Sequence, residues 1–165
     1  MVRPIWLIAV AALCGYAQRT ATTVLQVQVQ PEAHLAPQQI SLRFRVSPDG
    51  SSDVTSQTES IAAWVRALPG QRIRLLTRVV SLTGPTGPIS PTALGWSGGP
   101  IRPGSGAQNA GCTAGTFDPA QAADLIANWT RSASLACSVT FSLISPGTLP
   151  PGSYSGTIEL TLRSE

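Results

Sequence analysis

Leu135-Ala136-Cys137-Ser138-Val139-Thr140-Phe141-Ser142-Leu143 is the stretch on which the fold turns. Leu135, Cys137, Val139, Phe141 and Leu143 fall on one side of an extended chain, and Ser138, Thr140 and Ser142 fall on the other. A period of two over nine residues is the pattern of a strand with one face in a core and one in water. Cys137 sits among the apolar residues of that strand, so any disulfide it makes belongs inside the core.

Three other segments repeat the pattern. Leu25, Val27 and Val29 alternate with Gln26, Gln28 and Gln30. Ile40, Leu42, Phe44 and Val46 alternate with Ser41, Arg43 and Arg45. Tyr154, Gly156, Ile158, Leu160 and Leu162 oppose Ser155, Thr157, Glu159, Thr161 and Arg163. Half-buried strands in a chain with 15 Gly and 14 Pro predict an all-β fold, an immunoglobulin-like antiparallel β-sandwich.

Two segments read both ways. Ser56-Gln57-Thr58-Glu59 fits a capping box, with Ile61, Trp64, Val65 and Leu68 at helical spacing. The favoured reading is a hairpin that pairs residues 61–67 with 72–80 across Leu68-Pro69-Gly70-Gln71, since Pro-Gly suits the centre of a type II turn. Asp118-Pro119 suits a helix start, with Ala122, Leu125, Ile126 and Trp129 following at helical spacing. One short helix near 119–129 and a strand over 122–130 that turns at Arg131-Ser132 both stay open. Residues 83–111, broken by five prolines, read as loops around short strand pieces, one of them 92–96.

The N-terminus predicts export. Arg3, the apolar run Ile5-Trp6-Leu7-Ile8-Ala9-Val10-Ala11-Ala12-Leu13 and the small residues of Gly15-Tyr16-Ala17 follow the three-part plan of a cleavable signal peptide over residues 1–17. Leu13 is too bulky for a lipoprotein signal at Cys14. Residues 18–165 then form one domain without a membrane span, because an apolar run must reach roughly 20 residues to cross a bilayer. The expected location is the periplasm, the cell surface or the extracellular space. Cleavage removes one of three cysteines and leaves Cys112 and Cys137, an even pair that predicts one disulfide in an oxidising compartment.

Ten arginines against eight acids make residues 18–165 nearly neutral overall, and no basic stripe stands out along the chain, so a nucleic-acid partner is not expected. His34, the only histidine, follows a strand pattern in an expected loop and lacks any serine motif, which argues against a Ser–His–Asp arrangement. Clustered Cys and His for zinc are absent, and the glycines near 98–106 open no βαβ unit, so neither a metal nor a cofactor is expected. Asp49, Asp53 and Glu59 suit turn chemistry more simply than paired catalytic carboxylates. Asn128-Trp129-Thr130 matches a glycosylation acceptor. Trp64, Trp96 and Trp129 are candidates for a glycan platform, because flat aromatic faces stack on sugar rings; core packing is the competing use of all three. Trp96, among glycines, is the one expected to be exposed.

Leu149-Pro150-Pro151-Gly152-Ser153-Tyr154 and the alternating strand that follows resemble the last strand of secreted immunoglobulin-like pilin domains. These are the spore coat protein U-like and archaic chaperone–usher subunits. The resemblance covers about a tenth of the chain, and the chain departs from the family in having late cysteines and no matching N-terminal one. It implies a non-enzymatic surface or fimbrial-type subunit. Leu25, Val27 and Val29 would then be the inward face of a donor strand that completes the sheet of another copy or another surface protein. The alternative expectation is a carbohydrate-binding module.

Overall fold

The computed structural model describes residues 32–50, 53–104, 106–121 and 124–165. The expected signal peptide and donor strand lie outside these residues. Eleven strands are present among the described residues: β1 Glu32–Ala36, β2 Gln39–Val46, β3 Ser56–Arg66, β4 Arg72–Gly84, β5 Gly87–Pro88, β6 Leu94–Pro103, β7 Gln108–Cys112, β8 Gly115–Thr116, β9 Asp124–Thr130, β10 Ala133–Leu143 and β11 Gly152–Ser164. Helical structure among the described residues is confined to two 3-10 turns, Pro91–Ala93 and Pro146–Thr148.

The strands form two antiparallel sheets packed face to face as a β-sandwich. One sheet runs β1-β3-β10-β6-β8 and the other β2-β11-β4-β9-β7, with β5 paired to β4. Alternation explains the layering directly. Ile40, Leu42, Phe44 and Val46 of β2 are buried while their neighbours are exposed, and β10 buries Leu135, Cys137, Val139, Phe141 and Leu143. These faces meet Ile61, Ile73, Trp129, Tyr154 and Ile158 in a single core.

The ambiguous segments resolve as strands, and one expected pairing is corrected. Residues 56–66 and 72–84 are both extended, and the turn between them forms as expected. The Gln71 N–H donates to the Leu68 carbonyl at 3.2 Å, and Gly70 takes φ +86°, where a side chain would be strained. Yet β3 pairs with β1 and β10, while β4 pairs with β11 and β9. The turn is an arch between sheets, not a hairpin. Both strands carry an apolar face, and burying those faces against each other across the sandwich removes more apolar surface from water than placing them side by side.

The open choice near 119–129 falls to a strand, β9, which arches at Arg131 (φ +72°) into β10 in the opposite sheet. Helical spacing there is coincidental: Ile126, Ala127 and Trp129 all reach the core because the pairing with β4 shifts register between Leu75 and Leu76, leaving Ile126 as an extra residue in β9. The piece expected over 92–96 begins as the 3-10 turn and becomes β6 at Leu94.

Tyr154 anchors the approach to β11. Its ring is buried, and its hydroxyl donates to the Pro150 carbonyl four residues upstream. A tyrosine tied back across the start of a strand in this way is a device of immunoglobulin-like sandwiches. Burial also raises the phenol's pKa above its ordinary value.

The Cys112–Cys137 disulfide forms as expected. It joins β7, at the edge of one sheet, to β10, at the centre of the other.

Candidate functional site

The outer face of the five-stranded sheet carries the one tryptophan among the described residues that reaches solvent. β3 alternates, so Ile61, Ala63 and Val65 go inward while Ala62, Trp64 and Arg66 go outward. The register places His34 of β1 on one side of Trp64 and Ser134 of β10 on the other. In the adjacent row, Ala36, Ala62, Ala136 and Arg102 lie side by side across four strands.

Three alanines beside an indole leave a depression, because their methyl groups stop far short of the height of Trp64. The result is an open trough of about 260 Å³, walled by His34 and Trp64 at one end and reached by Arg102 from β6. Trp64 is 36% exposed, and the Arg66 guanidinium lies 5.7 Å from its ring centroid. Such a cation–π contact at the surface contributes about 0.5–1 kcal/mol and holds the indole's orientation. Arg102 makes no ion pair with any described residue.

The three tryptophans do not share a surface. Trp96, expected to be exposed, is 7% exposed on the inner side of β6, with its ring 4.8 Å from that of Phe117. Phe117 in turn stacks toward Phe141 at 6.5 Å. Trp129 is fully buried opposite Ile73. The glycines around Trp96 suggest a loop, but they serve close packing of strand against strand. Of the expected platform, Trp64 alone faces solvent, and its surroundings of His34, Arg66 and Arg102 were not visible in the sequence.

His34 lies on β1 and not in a loop. His34 and Ser134 flank Trp64 by one strand spacing each, which puts their backbones about 9.5 Å apart with the indole between them. Asp53 accepts from the Ser47 N–H at 2.6 Å and from the Ser47 hydroxyl at 2.7 Å. These bonds hold its carboxyl below the usual range, with the backbone bond first, as expected of turn chemistry. Glu59 lies on β3 and accepts from the Gln57 amide at 2.7 Å. Asn128 is half-buried within β9, between β4 and β7.

Among the described residues, no group of three or more His, Cys, Asp or Glu is placed to hold a metal ion. No helix there is long and apolar enough to cross a membrane. No family model, curated protein or solved structure matches the chain.

Proposed function

We propose that this chain is an exported, non-enzymatic structural or interaction protein, a cell-surface or fimbrial-type subunit that joins its neighbours by strand addition. The observation that supports this most is the position of β1, the first described strand after the alternating N-terminal segment of the sequence. Residues 22–30 precede β1 in the sequence, and β1 lies at the edge of the five-stranded sheet and is paired on one side only.

An acceptor of suitable shape lies close by. β2 covers β11 only as far as Glu159, and the Leu160 N–H donates to the Gln38 carbonyl. Beyond that point β2 has no residue to offer, because the chain has crossed to β1 in the other sheet. A gap of about 130 Å³ results, lined by Glu32, Ala33 and Val65 on one sheet and by Leu162 and Ser164 on the other. Apolar side chains such as Leu25, Val27 and Val29 from a second copy suit this gap, with main-chain bonds supplied by the open side of β11.

Along β2 itself the edge is blocked. The Arg43 N–H donates to the Gln57 side-chain oxygen at 3.0 Å, and the Gln57 amide donates to the Ser41 carbonyl at 3.1 Å. Gln57 thus occupies main-chain groups of β2 that an added strand would need, a common protection for an edge. Size-exclusion chromatography with light scattering of residues 18–165 and 31–165 tests the reading. The longer form is expected to assemble and the shorter to run as a monomer. A monomer in both cases sinks strand addition.

The exposed Trp64 favours a second reading, a carbohydrate-binding module in which a sugar ring lies in the alanine trough against the indole. On a glycan array, Trp64→Ala is then expected to lower binding about fivefold or more, by analogy with the roughly 1–3 kcal/mol of a base stacked on an aromatic ring. Binding that survives this change excludes the trough.

A further inference from the structure

The sheet geometry concentrates charge that the composition averages away. Arg43 and Arg45 on β2, Arg72, Arg74 and Arg78 on β4, and Arg163 on β11 all occupy outward positions of the six-stranded sheet. That is six of the chain's eleven arginines on one face. Among the described side chains, Glu159 pairs with Arg78, Glu165 lies 3.2 Å from Arg74, and Asp118 lines a hollow beside Arg78. Arg43, Arg45, Arg72 and Arg163 have no acidic partner among the described residues. Glu32 and Glu59 lie on the other sheet, and Asp53 beside the end of β2 is held by Ser47.

Arg163 stands directly opposite Arg74 in the register, and Arg72 is two residues from Arg74 on the same side. Like charges directly across a strand pair destabilise a sheet. A sequence that places them there, with Arg43 and Arg45 at the other end of the face, accepts a cost that an anionic partner would remove. Arg45 is opposite Ser153, so the band from Arg45 to Arg163 runs ten residues along β11, about 34 Å. Hydroxyls fill the interval: Ser41, Ser155, Thr157 and Thr161 all face the same way.

We propose that this face binds a linear acidic polysaccharide whose carboxylates lie across the arginine band. The guanidinium fork matches a carboxylate in two parallel hydrogen bonds, and the intervening hydroxyls match those of sugar rings. Described residues of the band present no exposed aromatic ring on which nucleic-acid bases could stack, and its large apolar side chains in solvent are Val80 and, beside Arg45, Val54, too little to anchor a lipid surface. The assignment rests on charge placement and is independent of strand addition.

The probe is size-fractionated polygalacturonate, titrated calorimetrically into residues 18–165 at several salt concentrations. Arg43→Gln with Arg45→Gln, and separately Arg72→Gln with Arg163→Gln, are each expected to weaken binding about tenfold or more. The dependence of log affinity on log salt should flatten by about one unit for each pair, as fewer counterions are released. Arg131→Gln, in the β9–β10 arch, should leave binding unchanged. All these side chains are exposed, and unchanged melting temperatures will show that the variants fold. No binding at low salt, equal binding by the double variants, or equally tight binding of duplex DNA or phosphatidylglycerol vesicles would each overturn the proposal.

Discussion

Trp129→Ala is expected to destabilise the sandwich by about 3–5 kcal/mol, while Trp64→Ala is expected to cost less than about 1 kcal/mol. The contrast follows from where the two indoles sit. Trp129 is the largest fully buried side chain among the described residues and lies opposite Ile73 between the sheets. Its removal leaves a void that β9, fixed by main-chain bonds to β4 and β7, can close only in part. Trp64 lies on the outer surface, where truncation removes one cation–π contact and little packing. Trp129→Phe should fall between them. The buried indole N–H has no hydrogen-bond partner among the described residues, so phenylalanine loses volume without breaking a bond. Urea denaturation with unchanged m-values checks the series. A loss below 1 kcal/mol for Trp129→Ala would contradict its place in the core.

The strands were legible because alternation states which side of a strand is buried. β2, β10 and β11 match the sequence reading residue for residue, down to the inward position of Cys137. Alternation does not state which strand lies alongside. Hence Leu68-Pro69-Gly70-Gln71 was readable as a turn and misread as a hairpin, since an arch and a hairpin need the same local chemistry and differ only in the partners of β3 and β4. Segment 119–129 was ambiguous for a related reason. Over so few residues, apolar positions three apart fit a helix, and they also fit a strand whose register shifts, as β9 does beside Leu75 and Leu76. The candidate surfaces were harder still. The trough brings together β1, β3, β10 and β6, and the arginine band brings together β2, β4 and β11, so neither exists until strand order is known. A formal net charge of only +3 hides the band, because six of the eleven arginines gather on one face only when β2, β4 and β11 come together.

Breaking the disulfide is expected to cost about 3 kcal/mol and to lower the melting temperature by about 10 °C. Cys112 and Cys137 are separated by 25 residues, and freeing a loop of that length restores a corresponding entropy to the unfolded chain. The position of the bond predicts how the cost divides. β7 is a five-residue edge strand whose pairing with β9 shifts register between Gln108 and Gly111, so it is weakly held without the link to β10. β10, by contrast, is paired along most of its length on both sides. Cys112 is half-buried, whereas Cys137 is 2% exposed on the inner face. Cys112→Ser should therefore match the reduced parent protein, because a serine at the margin keeps access to water. Cys137→Ser should lose about 1–2 kcal/mol more, since its hydroxyl would enter the core without a partner. Cys137→Ala, which buries no polar atom, should recover most of that difference. Denaturant midpoints of the three variants, set against the parent with and without reductant, measure each step. Equal midpoints for Cys112→Ser and Cys137→Ser would mean that the two ends of the bond are alike in burial, against the placement of β10 at the centre of its sheet.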